Sequence, residues 1–195
     1  MRAFFAVALT PPVIEALAGC REALLAADPS WRGEKWVADE NLHITMRFLG
    51  DVPEACVEDI LTAVRGALGD VRAFCLTFGR IAATPRPRTA SMIWAAPTAG
   101  DAECASLAQR IEAAVTKTLP TSAGMHAGVR PFRAHVTLCR TRRPRRILDG
   151  AIERASERLR GRPLTMSVGE VTLFASTLTR SGPVYEVAGT VPLQS

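Results

Sequence analysis

The sequence predicts an α+β fold built from two similar halves. Three observations point to it. Short stretches of period two alternate along the chain with stretches of helical period. No glycine-rich phosphate loop stands where a dinucleotide-binding fold would need one. One strand pattern occurs twice, as Asn41-Leu42-His43-Ile44-Thr45-Met46-Arg47-Phe48-Leu49-Gly50 and as Phe132-Arg133-Ala134-His135-Val136-Thr137-Leu138-Cys139-Arg140, about half a chain length apart. Such recurrence marks an internal repeat. A twofold-like arrangement would set the two strands against each other, with both polar faces on one cleft.

Each element follows from its residues. Arg2 to Leu9 reads as a buried first strand. The run is too short for a signal peptide, is broken by Pro11-Pro12 and shows no cleavage site. Those prolines open a helix to about Ala27, with Val13, Leu17, Cys20 and Leu24 on one stripe. Residues 31–41 are irregular. In the first His strand, alternation puts Ile44, Met46 and Phe48 on one face and His43, Thr45 and Arg47 on the other. Gly50 to Glu54 reads as a turn and helix start with Asp51 as cap, and Val57, Ile60, Leu61, Val64 and Leu68 form that helix's apolar side.

Phe74, Leu76 and Phe78 alternate in the next strand. Residues 79–90, with Pro85 and Pro87, contain a surface loop, and Met92 to Ala96 form a strand. A third helix begins at Asp101 and carries Leu107, Ile111, Val115 and Leu119. The loop 120–131 precedes the second His strand. The run Arg140 to Arg146 leads into a fourth helix with Leu148, Ile152, Ala155 and Leu159. Residues 164–174 and 183–190 close the chain as two strands, a hairpin around Thr179 to Gly182.

Composition bounds the function. With 195 residues, 48% hydrophobic and 22% charged, the chain is ordinary globular protein. No apolar run approaches the roughly 20 residues of a membrane span. The five cysteines are scattered with no metal-ligand spacing, which fits a reducing cytoplasm. The net charge of +5 favours an anionic partner, although the excess is almost all arginine.

Two imidazoles across a cleft can divide the work of phosphoryl transfer. One takes the nucleophile's proton and the other protonates the leaving oxygen. Thr45 and Thr137 share strand faces with His43 and His135, and their hydroxyls can donate to non-bridging phosphate oxygens. A nearby arginine can clamp the phosphate at two points. This chemistry needs no metal, and no carboxylate-rich cluster offers one a site.

These residues resemble the 2H phosphoesterase superfamily. Within it they are most similar to the bacterial and archaeal RNA 2′,3′-cyclic phosphodiesterases, also called 2′-5′ RNA ligase-like proteins. The resemblance is carried by Asn41 to Gly50 and Arg130 to Arg140, and also by Arg2-Ala3-Phe4-Phe5-Ala6-Val7 and Pro183-Val184-Tyr185-Glu186-Val187. It implies one bilobal, pseudo-twofold domain over residues 1–195, with two antiparallel sheets flanked by helices and a central cleft. It implies metal-independent hydrolysis of 2′,3′-cyclic phosphate ends of RNA, tRNA fragments among them, to 2′-phosphomonoesters. The protein would be a cytoplasmic monomer without cofactors, and some relatives also join ends through 2′-5′ linkages.

By resemblance His43 is the general acid and His135 the base, while Thr45, Thr137 and Arg140 hold the phosphate. Ala134 stands where the family usually has proline, which should alter the start of the strand and not the chemistry. Strict alternation puts Arg140 on the face opposite His135, so it reaches the cleft only past a bulge. Arg47 has the right parity and is a second candidate.

Blander readings stand beside these. The histidines could be structural, and threonine suits strands in any case. The arginines from Arg140 to Arg146 could bind RNA backbone or line a solvated approach to a helix. Phe48 could stack on a base, but its parity with Ile44 says core. Trp31 and Trp36 read as packing, His126 as solvated surface, and Cys139 as no nucleophile. Two rival functions remain: a phosphodiesterase for small cyclic nucleotides, and an RNA-end binding module without turnover.

Overall fold

A computed structural model describes residues 1–119, 132–160, 164–180 and 182–195. His126 and the loop 120–131 lie outside the described residues.

The first half runs β1 (Arg2–Ala8), α1 (Pro11–Ala27), a short β2 (Lys35–Trp36), β3 (His43–Asp51), α2 (Val57–Leu68) and β4 (Phe74–Thr84). The second runs β5 (Ala90–Ala99), α3 (Asp101–Thr118), β6 (Val136–Arg145), α4 (Ala151–Glu157), β7 (Leu164–Val168), β8 (Glu170–Thr179) and β9 (Gly182–Pro192). The strands form one sheet in the order β7-β4-β5-β6-β3-β1-β8-β9, with β2 off this path against β6. All the pairings among these strands are antiparallel.

The two His strands, β3 and β6, lie side by side at the centre, joined through Ile44 and Val136. On one side stand β1, β8 and β9, and on the other β5, β4 and β7. The expected two sheets are thus two four-stranded wings meeting at a seam. Each half sends its later strands across the seam, so β4 pairs with β5 and β8 with β1. Helices α2 and α3 pack together against β9 and β3, whereas α1 and α4 pack together against β7 and β4.

Helical period explains the burial. Val13, Leu17, Cys20 and Leu24 are the buried stripe of α1, and Ile60, Leu61, Val64 and Leu68 that of α2. Full burial of such side chains is worth roughly 1.5–3 kcal/mol each. Gly100 begins α3 at φ +88, where a Cβ would meet the Cys75 carbonyl oxygen at 2.5 Å. Glycine is therefore required there. Ser156 of α4 receives the Ile81 N–H and donates to backbone carbonyls, pinning the helix to β4.

Several boundaries differ from the sequence reading. Asp51 ends β3 instead of capping α2, which starts at Val57 after a 3-10 turn. β4 continues through Thr84, so the predicted loop shrinks to a short connection. The basic run Arg140 to Arg145 is the second half of β6 and not the approach to a helix. Leu148 precedes α4 and is exposed. Residues 164–174 are two strands that part at Gly169, β7 joining one wing and β8 the other. The closing hairpin is β8–β9, paired from Glu170 to Thr179. Among the described residues no helix is long and apolar enough to cross a membrane.

Candidate active site

Antiparallel pairing at Ile44 and Val136 sets His43 opposite Thr137 and Thr45 opposite His135. Ile44 and Val136 are fully buried beneath the sheet. By alternation the two His-Thr pairs share the other face, and all four residues are partly exposed.

The two rings are held alike. His43 Nδ1 lies 2.7 Å from the Asn41 carbonyl oxygen, and His135 Nδ1 lies 2.8 Å from that of Arg133. A carbonyl can only accept, so both Nδ1 atoms carry hydrogen and donate. Each Nε2 is then the nitrogen that can accept a proton. His43 Nε2 sits 2.9 Å from Thr45 Oγ1. The Asn41 side chain donates to the Pro183 carbonyl at 2.9 Å, fixing the start of β3 to β9. The Ala134 N–H, which a proline there would lack, donates to Asp101 Oδ1 at 2.9 Å.

The ring environments differ. His43 packs against Phe4 and Tyr185, with centroids 4.9 and 5.5 Å away. Burial lowers its pKa below the usual 6.5, and the charge of His135 lowers it further, against the raising effect of the Asn41 hydrogen bond. His135 and Trp94 form a T-shaped pair with ring centroids 5.6 Å apart.

A bulge follows each threonine. In β3, Thr45 faces Ala6 and Arg47 faces Phe5, so Met46 is the extra residue. In β6, Thr137 faces Trp94 and Cys139 faces Ile93, so Leu138 is the extra residue. Each bulge reverses the parity beyond it. Arg140 therefore returns to the histidine face, its Nη2 3.5 Å from Thr137 Oγ1. Arg47 is turned away, with Nε 2.6 Å from Glu112 Oε2 of α3 at an angle too poor for a hydrogen bond. The parity arguments for Arg47 as a phosphate ligand and for Phe48 as core are both overturned. Phe48 is 66% exposed and lies on the histidine face, its ring tilted against Phe4 with centroids 5.7 Å apart.

The other expectations divide. Trp31 is fully buried and Trp36 Nε1 donates to its carbonyl, so both are packing. Arg145 lies over Trp31 and pairs with Glu34, and Arg146 pairs with Asp149. Cys139 is buried and its thiol is pushed up to about 12, unsuited to a nucleophile. Among the described residues no three His, Cys, Asp or Glu side chains gather as a metal site requires.

Residues 7–179 match the model of the 2′-5′ RNA ligase superfamily. An RNA 2′,3′-cyclic phosphodiesterase of Aeropyrum pernix is 30% identical over 155 residues, covering 78% of this chain and 82% of the relative. One from Methanothermobacter thermautotrophicus is 29% identical over 188 residues, 95% of each chain. A crystal structure from Thermus thermophilus superposes with a TM-score of 0.77 at 29% identity, covering 100% of this chain and 98% of that one.

Proposed function

This chain belongs to the 2′-5′ RNA ligase superfamily, and we propose that it opens 2′,3′-cyclic phosphate ends of RNA to 2′-phosphomonoesters with two histidines and no metal. The observation that carries this reading is the matched pair of Nδ1–carbonyl bonds, which directs both Nε2 atoms to one open face on either side of the seam.

In the proposed step, water attacks phosphorus in line with the departing 3′-oxygen. His135 Nε2 takes the water's proton as the new O–P bond forms. His43 Nε2 gives its proton to the 3′-oxygen as the P–O bond breaks, leaving the phosphate on the 2′-oxygen. The low pKa of free His43 is corrected by the substrate, whose phosphate charge favours the imidazolium. The Thr45 and Thr137 hydroxyls and the Arg140 guanidinium donate to the non-bridging oxygens, where charge grows in the transition state. With a ribose hydroxyl in place of water the same step would be 2′-5′ ligation. The whole chain would act as one unit with one His-Thr strand per half, as a cytoplasmic monomer; five free cysteines are consistent with a reducing compartment.

The test is an RNA oligonucleotide bearing a 2′,3′-cyclic phosphate, incubated in EDTA with wild type, His43→Ala and His135→Ala. Wild type should open the ring, and each variant should lose roughly 100- to 10,000-fold with an unchanged circular dichroism spectrum. Binding without turnover would make the site a gripping module, and near-normal activity of either variant would end the two-histidine mechanism.

A further inference from the structure

The two histidines are backed by different partners. Each Nδ1 donates to the carbonyl of the residue two places earlier, Asn41 for His43 and Arg133 for His135. That carbonyl shares its peptide plane with the N–H of the next residue, so whatever holds the N–H also aims the carbonyl. Behind His43 the Leu42 N–H donates to the Asp39 carbonyl at 3.2 Å, closing the 3-10 turn Asp39–Asn41. Behind His135 the Ala134 N–H donates to Asp101 Oδ1 at 2.9 Å, a side chain 33 residues away in sequence.

The second peptide depends on that side chain. Residues 132–135 precede β6 and carry no secondary structure, so no ladder orients the peptide between Arg133 and Ala134. Ala134 is 2% exposed, and a buried N–H needs a partner. Asp101 is the first residue of α3, and among the described residues no lysine or arginine pairs with it. Its carboxylate is therefore free to serve Ala134.

Resting on the phosphodiesterase reading, we propose that Asp101 is a positioning residue for His135, acting through the peptide between Arg133 and Ala134. The bonds run from the carboxylate to the Ala134 N–H, and from the Arg133 carbonyl to the His135 Nδ1–H. The result is a carboxylate–imidazole pair with one peptide inserted. With the carbonyl held in one direction, the Nδ1–H is held too, and Nε2 stays free of hydrogen. Asp101 is exposed, so water screens its charge and what it supplies is direction. An amide oxygen in the same place would serve as well. The Ala134 N–H is the necessary partner, and proline at that position would remove it. His43 needs no such helper, because a local turn fixes its peptide.

The experiment alters both ends of the first bond in the full chain. Asp101→Ala removes the acceptor, Asp101→Asn keeps an oxygen without the charge, and Ala134→Pro removes the donor. Turnover of an RNA 2′,3′-cyclic phosphate end is measured for each. Nitrogen-15 shifts of the His135 ring are measured above the usual titration range of imidazole. Asp101→Ala should lower kcat about tenfold or more, with KM within about threefold of wild type. Its His135 ring should show a mixture of Nδ1–H and Nε2–H forms where wild type shows Nδ1–H. Asp101→Asn should restore both readouts. With proline at 134, the further change Asp101→Ala should alter kcat by less than about twofold, because the link is already broken.

Both Asp101 variants lose a carboxylate from the first turn of α3. A loss of kcat shared by both, in step with urea stability, would make the role structural and overturn the proposal. An undiminished kcat or unchanged ring shifts in Asp101→Ala would also overturn it, as would additive losses with Ala134→Pro. Turnover in wild type and Asp101→Ala alike, with unchanged ring shifts, would leave the phosphodiesterase and remove the positioning. Ring shifts that respond to Asp101→Ala and not to Asp101→Asn, without turnover in wild type, would leave the positioning and remove the phosphodiesterase.

Discussion

Arg47 of β3 points through the sheet to Glu112 of α3, its Nε 2.6 Å from the carboxylate and its side chain only 14% exposed. The pair joins the central strand to the helix that covers it. Arg47→Met should cost about 1–3 kcal/mol, because it leaves the Glu112 carboxylate without its partner in a half-buried place. The added variant Glu112→Leu should recover most of that loss. Urea unfolding of the single and double variants checks both values. Activity on a cyclic-phosphate end should stay within a factor of about three, since the pair lies on the far side of the sheet from the histidines. A large loss of activity at full stability would return Arg47 to the phosphate site.

Arg140 carries the opposite expectation. It is exposed and reaches back toward Thr137, so stability should be indifferent to its removal. Arg140→Ala should raise KM for an RNA cyclic-phosphate end by roughly tenfold or more, and Arg140→Lys should recover little, because a point charge cannot hold two phosphate oxygens in a plane. The slope of log affinity against log salt should also flatten by about 0.7 for one lost contact to a single strand. An unaltered slope would show that this guanidinium does not touch phosphate.

Anion binding should draw a proton onto His43. In the free protein its pKa lies below the ordinary 6.5, through burial first and the charge of His135 second. Near pH 6.5 the ring is therefore mostly neutral, and an anion beside it favours the charged form. Binding should take up protons and should strengthen as pH falls through this range. Sulfate is a suitable probe because it has no proton of its own to exchange near neutrality. Calorimetry in buffers of different ionisation enthalpy should show uptake for wild type and a reduced uptake for His43→Ala. Proton release on binding would contradict the low free pKa.

Much of this was legible in the chain. Period two identified the strands around His43 and His135 because one of their faces is apolar throughout the motif. Helical stripes such as Val13, Leu17, Cys20 and Leu24 located α1 because only a core-facing helix repeats in that way. The doubled His-Thr spacing marked the candidate residues because a strand puts every second side chain on one face. What could not be read was parity beyond the threonines.

A bulge adds one residue to a strand without any required residue type at Met46 or Leu138, yet it exchanges the fates of Arg47 and Phe48 and brings Arg140 to the histidine face. The hint was present only in comparison: Leu138 and Cys139 are consecutive apolar residues, which strict alternation does not produce. In the same way nothing but Gly169 separates β7 from β8, although the two strands belong to opposite wings.

Local sequence determined which segments become strands and helices and which groups have the chemistry, because periodicity and side-chain type act over a few residues. Tertiary structure alone decided which strands are neighbours, where the ladders slip, and hence that one wing lines His43 with aromatic rings while the other sets a guanidinium near Thr137. Those are properties of pairing between segments far apart in the chain, where the backbone hydrogen bonds and the packing of two strands are satisfied together.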